Sequence, residues 1–437
     1  ALAIVAVMCI TPFAGAQFSD AEDVTDTVGS AQTYDVPTGT SIKDFILDKI
    51  WSDGNIKSVH NDTDNRNYYQ LVLTDLTLNL QEGGTYYLNR ILSNNQPEHV
   101  QSSVMNTFSG DRLTINGNGA TIVVQNNAGI SGGQATSDFT IALDPKQYCV
   151  NMTIDDVRFV PADGISSSAM SLNYYRTLTL TGCSFENITL TSGAIDDADS
   201  RLSIIGCTFD GDNTPEGYFA MTLNEMDYLR VEGCTISDYD RGVNIKTRIP
   251  NAEVNVTGNT FTNLQGTSVI QFGESDAGDV LDANISGNTF QRCTGGILMH
   301  EVSNATGNII STGNDYIDVL QHFIYDDEGE SIPPLNMISE GDRFENDGRT
   351  SSQPVITTTT GGIVSDKVQV VDPVVDPEDQ YPLPPIWDDD DYVPLPPTIV
   401  SEDSGSSDDT VKVVACAAAA VAAALIALIL VTEYRKK

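Results

Sequence analysis

Residues 177–209, TLTLTGCSFENITLTSGAIDDADSRLSIIGCTF, contain one pattern written twice. Leu178 and Leu180 are spaced i, i+2; Gly182 and Cys183 follow, and Phe185 closes the unit. Leu202, Ile204, Gly206, Cys207 and Phe209 repeat it. Alternation of period two is the signature of a strand with one buried face, and a Gly straight after it marks a corner. The pattern returns as Leu229, Val231, Gly233, Cys234, Ile236, then Val254, Val256, Gly258, Asn259, Phe261, then Ala283, Ile285, Gly287, Asn288, Phe290. Weaker copies end at Phe159, Tyr316 and Phe344, and the closing positions lie 26, 24, 27, 25, 29, 26 and 28 residues apart.

A fixed period of this length means a solenoid. A second apolar triplet sits within each unit, as in Val243-Asn244-Ile245 and Ile297-Leu298-Met299. Several short strands per unit make one turn of a parallel β-helix, with coils stacked at about 4.8 Å. A propeller blade needs about 40 residues, and leucine-rich repeats carry a different signature. In a solenoid, aligned positions stack. Cys183, Cys207, Cys234, Asn259, Asn288 and Asn314 share one such position. Asparagines there can pass amide hydrogen bonds from coil to coil, and the cysteines read as small buried residues of the same column. A straight column does not offer the tetrahedral geometry of a zinc site. A disulfide between neighbouring coils is the alternative.

Leu113-Thr114-Ile115-Asn116-Gly117-Asn118-Gly119-Ala120-Thr121-Ile122, the recurring Gly-Asn-Thr-Phe at 258–261 and 287–290, and Gly84-Thr85-Tyr86-Tyr87-Leu88 resemble the pectin-lyase-like superfamily. The resemblance covers roughly residues 70–350 and implies an all-β, right-handed parallel β-helix. It is specific for fold and not for activity, because the superfamily holds polysaccharide lyases and hydrolases beside adhesin-like surface proteins. Polygalacturonase-like members carry an Asp pair, Gly-His-Gly and Arg-Ile-Lys. Here Asp196-Asp197 imitates the pair, no Gly-His-Gly occurs, and Asn244-Ile245-Lys246 departs at its first residue. Asp196 and Asp197 are therefore the candidate catalytic residues of an enzymatic reading, and the whole arrangement is most similar to the adhesin-like group.

The ends set the topology. Residues 1–16, apolar from Ala1 to Phe13 and closing on Ala14-Gly15-Ala16, read as a signal peptide. Residues 17–40 read as an acidic linker. Ser41 before Ile42, Phe45, Ile46 and Ile50 gives the spacing of one apolar helix face, so 41–51 is expected to be a helix covering the first coil of a β-helix spanning 41–350. Residues 351–410 hold nine of the 18 prolines and thirteen acids against one base, Lys367, and read as a disordered stalk. Val413 to Val431 has no charge over 19 residues. It places a transmembrane helix at 411–432, and Arg435, Lys436 and Lys437 put the tail, 433–437, in the cytoplasm. The expectation is a single-pass protein of the cell surface with its solenoid outside.

Lys plus Arg total 22 against 61 acids, a net charge of −39, which excludes nucleic acid as a partner. Acids follow several mid-unit strands, and Asp197, Glu225, Glu274, Glu301 and Asp327 are expected to form a row along one edge. Such a row is a solvated rim, a calcium site or a source of paired carboxylates for glycoside cleavage; no cofactor is required, and calcium is the one it suits. Asn-x-Ser/Thr sequons stand at Asn61, Asn151, Asn187, Asn255, Asn284 and Asn304. Asn151, Asn255 and Asn284 alternate with inward apolar residues and should point outward, as glycosylation requires. The functional expectation is adhesion or display at the cell surface through a glycan or a protein. Polysaccharide lyase or hydrolase activity is the alternative.

Overall fold

The computed structural model describes residues 31–45, 53, 56–61, 66–71, 75–88, 112–125, 128–131, 151–194, 200–224, 226–246, 252–273, 280–300, 306–327, 335–364 and 368–371. The signal segment at 1–16 and the spans at 411–432 and 433–437 lie outside these residues. Among the described residues no helix is long and apolar enough to cross a membrane.

One coil shows how the repeat folds. Thr177–Thr181 forms the first side, Ser184–Glu186 the second and Ile188–Ala194 the third. The next coil lies parallel and in register, with Leu178 opposite Leu202, Leu180 opposite Ile204 and Phe185 opposite Phe209. Repetition joins the first two sides into a 21-stranded sheet and the third into a parallel nine-stranded one. The chain is thus nearly all β, and its strands stack as a parallel β-helix. The side chains of Leu178, Leu180, Phe185 and their equivalents are fully buried inside it. Phe159, Phe185 and Phe209 stack at 4.9 and 4.5 Å, and Phe261, Phe290 and Tyr316 at 5.2 and 4.5 Å. Ile236 interrupts the two runs. Each stacked pair contributes about 1 kcal/mol beyond its burial.

The corner between first and second sides explains the invariant spacing of Gly. Gly182, Gly206, Gly233, Gly258, Gly287 and Gly313 have φ between 59° and 64°. A Cβ there meets nothing within 4 Å, so the requirement is left-handed backbone rather than space.

The residue after each of these glycines points inward, and the expected column is present. Asn259 Nδ2 donates to Asn288 Oδ1 at 2.9 Å, and Asn288 Nδ2 donates to Asn314 Oδ1 at 2.9 Å. The same Oδ1 atoms also accept the backbone N–H of Asn259 and Asn288. Each Nδ2 further reaches a carbonyl of the preceding coil, Val231 O for Asn259 and Val256 O for Asn288. The column continues one coil beyond the expected Asn314, to Asp342, whose Oδ1 accepts from Asn314 N and Nδ2 at 2.9 and 3.0 Å. In the other direction Asn259 Oδ1 accepts from Cys234 N at 2.8 Å. The Cys234 thiol then donates to Ile204 O at 3.5 Å, and the Cys183 thiol to Ile154 O at 3.5 Å, the contacts the amides make elsewhere. Cys183, Cys207, Cys234 and Cys293 are buried free thiols. Contact with Cys183 and Cys234, reinforced by burial, pushes the Cys207 thiol up. Cys149 lies outside the described residues.

The ends depart from expectation. Within the expected linker, Gln32–Asp35 is a strand paired with Asp75–Asn79, because Tyr34 and Val36 supply inward apolar residues. An antiparallel hairpin of Ile56–Asn61 and Arg66–Leu71 stands before the repeats. Ser41 Oγ accepts from Asp44 N at 3.2 Å at the start of helix Ile42–Phe45, and Ile42 and Phe45 are buried. Residues 46–51 of the expected helix lie outside the described residues. At the other end the boundary at 350 moves. Ile356–Thr358 pairs with Gln321–Tyr325, and Val368–Val371 pairs with Asn336–Glu340, so residues expected in the stalk complete the last coil. Inward Ile356 and Thr358 and Val368 seat them there, which threonine- and proline-rich composition conceals. Arg343–Asn346 turns back on Arg349–Ser351 through Asp347 and Gly348, both with positive φ, closing the second side with an antiparallel strand.

Candidate functional site on the outer face of the third side

Third-side strands alternate like the others. Val243, Ile245, Ile270 and Phe272 enter the core, and the residues between them point outward. Register then aligns two outward columns. One runs Thr222, Asn244, Gln271, Leu298, Ile324, Thr357. The other runs Gly193, Asn224, Lys246, Gly273. His300 and Asp326 follow in that second column, their N–H groups bonded to Phe272 O and Met299 O of the coil before.

Outward position normally means exposure, yet Asn244 is 6% and Gln271 7% exposed. Asn244 Oδ1 and Asn224 Oδ1 are buried atoms with no hydrogen-bond partner. Each such atom costs about 1–3 kcal/mol when water cannot reach it. Gly273 is packed closely beside them: a Cβ there would stand 3.8 Å from Asn244 Oδ1, 3.6 Å from Gln271 Nε2 and, tightly, 3.3 Å from His300 O. The Ser268 hydroxyl donates to Gln271 Oε1 at 3.3 Å. At the far end His300 Nδ1 lies 2.5 Å from Asp326 Oδ2, and Asp326 Oδ1 accepts from Thr359 Oγ1 at 3.1 Å. A buried carboxylate that fixes an imidazole is the orienting half of an acid–base pair.

Of the expected acidic row, Asp197, Glu225, Glu274 and Glu301 lie outside the described residues, as does Asp196. Asp327 is described, and its oxygens are occupied. They accept from Thr359 Oγ1 at 2.7 Å, Thr360 N at 3.0 Å and Thr360 Oγ1 at 2.5 Å. Hydrogen bonds from Thr360, with those of its neighbours, hold the Asp327 carboxyl well below the usual range. Its geometry is that of a clamp on the last coil. The described acids that do converge are Asp210, Asp212 and Asp238, whose ligand atoms lie within 4.8 Å of one another at the corner after the second side. An all-oxygen set suits a hard cation such as Ca²⁺. Part of it is already committed, since Asp238 Oδ1 accepts from Asn263 Nδ2 at 3.0 Å.

Among the sequons, Asn284 is exposed, and Asn151 and Asn255 are partly exposed on outward strand positions. Asn187 sits at a corner with φ 54°, its Oδ1 accepting from Asn213 N at 2.6 Å. Asn61 lies in the strand Ile56–Asn61, and Asn304 lies outside the described residues. Arg241 packs over the Phe219 ring at 5.2 Å and lies 3.6 Å from Asp240. A cleft of about 330 Å³ lies at the last coil, away from the third side, lined by Ser339, Asp342, Arg343, Thr350 and Val370.

Sequence reasoning named neither Asn224 nor Asn244 as a site residue. The available signal was Asn between Val243 and Ile245, which fixes the direction of the side chain and not its burial.

No family model matches the chain, and no curated protein matches it significantly. Two solved structures of the periplasmic alginate epimerase AlgG, one of them a point mutant, resemble it at 12% identity. Each comparison covers 78% of this chain and 85% of the epimerase, with a TM-score of 0.20. A likeness of that size carries nothing about chemistry.

Proposed function

We propose that the protein is a surface-displayed, glycan-binding β-helix whose ligand lies along the outer face of the third side. The observation that carries this is Asn244: outward, 6% exposed, and with its Oδ1 unpartnered. A ligand hydroxyl satisfies such an atom once what covers it gives way. The amphipathic segment at 41–51 covers the first coil, the acidic segment beyond residue 371 serves as the stalk, and 411–432 anchors the chain in its membrane with the solenoid outside. Adhesion to glycans of a neighbouring surface is the role that follows, with calcium an optional addition at acidic corners. The test is retention of the full-length chain on a panel of immobilised polysaccharides, with and without Ca²⁺. Saturable retention that Asn244→Leu removes is expected; retention on none of them contradicts the reading.

The His300–Asp326 pair favours a second reading, cleavage of a bound polysaccharide. Release of soluble fragments, lost in His300→Gln while retention persists, would establish it.

A further inference from the structure

We propose that His322 is an acid-sensitive latch on the last strand of the third side, Ile356–Thr358: neutral, it holds the start of that strand against Gln321–Tyr325, and protonated it lets it go. The two segments exchange bonds where they meet. His322 N donates to Val355 O at 3.0 Å, Phe323 N donates to the same oxygen at 3.2 Å, and Val355 N returns a bond to His322 Nδ1 at 2.7 Å. Since Nδ1 accepts, the neutral ring carries its proton on Nε2, which is buried and unpartnered. A second proton can go only on Nδ1, where Val355 N–H already points. Two donors then face each other, and the bond is lost.

The surroundings offer the charged ring no counter-ion. From strand Asp315–Ile317, Tyr316 faces the ring at 5.4 Å, its hydroxyl bonded to Ser311 and kept protonated by burial. From Arg343–Asn346 it is Phe344, at 4.6 Å. Asp315 and Glu345 on those strands alternate outward and pair with Arg343. The preceding third-side strand brings Gly296 against His322 O, and Val355 and Ile356 bring apolar side chains. The Asp342 carboxyl, which acts on Tyr316, is engaged by Asn314 and Ser339, and Asp326 is bonded to His300 and Thr359. Among the described residues, water is the partner that remains, and it reaches the ring when Val355, 42% exposed, swings out. The far end of the strand is held separately. Asp327 accepts from Thr359 and Thr360, and because those bonds hold its carboxyl well below the usual range it stays ionised in mild acid. The strand therefore opens at Val355 and stays tethered at Thr359. Burial lowers the His322 pKa to about 4, whereas the released ring regains the ordinary 6.5. The opening equilibrium grows as pH falls below 6.5, by on the order of 50-fold between pH 7.5 and pH 4.5.

The experiment is amide hydrogen exchange of the full-length chain at pH 7.5 and pH 4.5, with rates corrected for the intrinsic effect of pH on exchange. Protection of Val355 to Thr358 should fall by on the order of 50-fold in acid, and that of Thr359 and Thr360 by less than about threefold. His322→Gln offers the Val355 N–H an acceptor that does not titrate in this range, and should abolish the difference between the two pH values. His322→Phe, which has no acceptor, should leave Val355 to Thr358 weakly protected at both. Equal protection of Val355 to Thr358 at the two pH values in the parent overturns the latch. So does an acid loss of the same size in His322→Gln or His322→Phe, which would arise from carboxylates elsewhere.

Discussion

Asn288 and Asn244 are the same residue type, both more than nine-tenths buried, one inside the coil at a corner of the 21-stranded sheet and the other on the outward side of the nine-stranded one. Asn288 lies in the interior column, where its amide and backbone N–H meet partners in the coils before and after it. Asn244 lies on the outer face with its Oδ1 unpartnered. Burial with every bond made holds a solenoid together. Burial with a bond withheld lowers stability, and such a group calls for an explanation. On the proposed reading, the difference separates a structural amide from a ligand-binding one.

Breaking the satisfied member should have the largest effect. Asn288→Ala removes the acceptor of Asn259 N and Nδ2 and the donor to Val256 O and Asn314 Oδ1. A loss of about 3–5 kcal/mol is expected in denaturant unfolding. A loss below about 1 kcal/mol would mean that the column is decoration.

His322 sharpens the comparison from inside. It is 1% exposed, Nδ1 accepts from Val355 N at 2.7 Å, and Nε2 is unpartnered while the ring packs on Phe344 at 4.6 Å. Burial lowers its pKa to about 4 from 6.5. A depressed pKa in the fold means the neutral ring is the stable form, so its contribution is full above pH 6.5 and fades as pH falls toward 4. The change amounts to about 3 kcal/mol. Asp342, pushed up by burial, acts in the opposite sense and gains as pH falls. The stability difference between the protein and His322→Phe, measured at pH 7.5 and pH 4.5, should therefore shift in favour of the variant in acid. An unchanged difference would place His322 in contact with water.

Much of the interior was legible because a repeat converts sequence spacing into stacking. The Gly-Cys and Gly-Asn pairs located both the corner and its column. Gly341-Asp342 carries the same signal, with an Asp where the other coils have Cys or Asn. The outer face was not legible. Val243-Asn244-Ile245 shows which way Asn244 points, but burial depends on neighbours brought from other coils, such as Gln271 and Gly273. Composition misled at the margins, where Thr357 and Thr358 read as stalk yet sit 8% and 4% exposed in the last coil.

A smaller effect tests whether thiol and amide are interchangeable in the column. Cys207→Ala should cost about 1–2 kcal/mol, the loss of a small buried side chain and its weak bonds. Cys207→Asn should cost less than Cys207→Ala, because Asn259 and Asn288 occupy the same place two and three coils on. The reverse order, read from the same unfolding curves, would show that the cysteine coils are too tight for an amide.

The central claim is that Asn244 is buried and unsatisfied for the sake of a ligand, and Asn244→Leu tests it when unfolding and polysaccharide binding are measured on one preparation. Replacing the orphan amide by an apolar side chain of similar size should raise stability by about 1 kcal/mol. Binding should fall at least tenfold. A variant that is less stable than the parent and binds equally well would contradict the account, for Asn244 would then be one more structural amide.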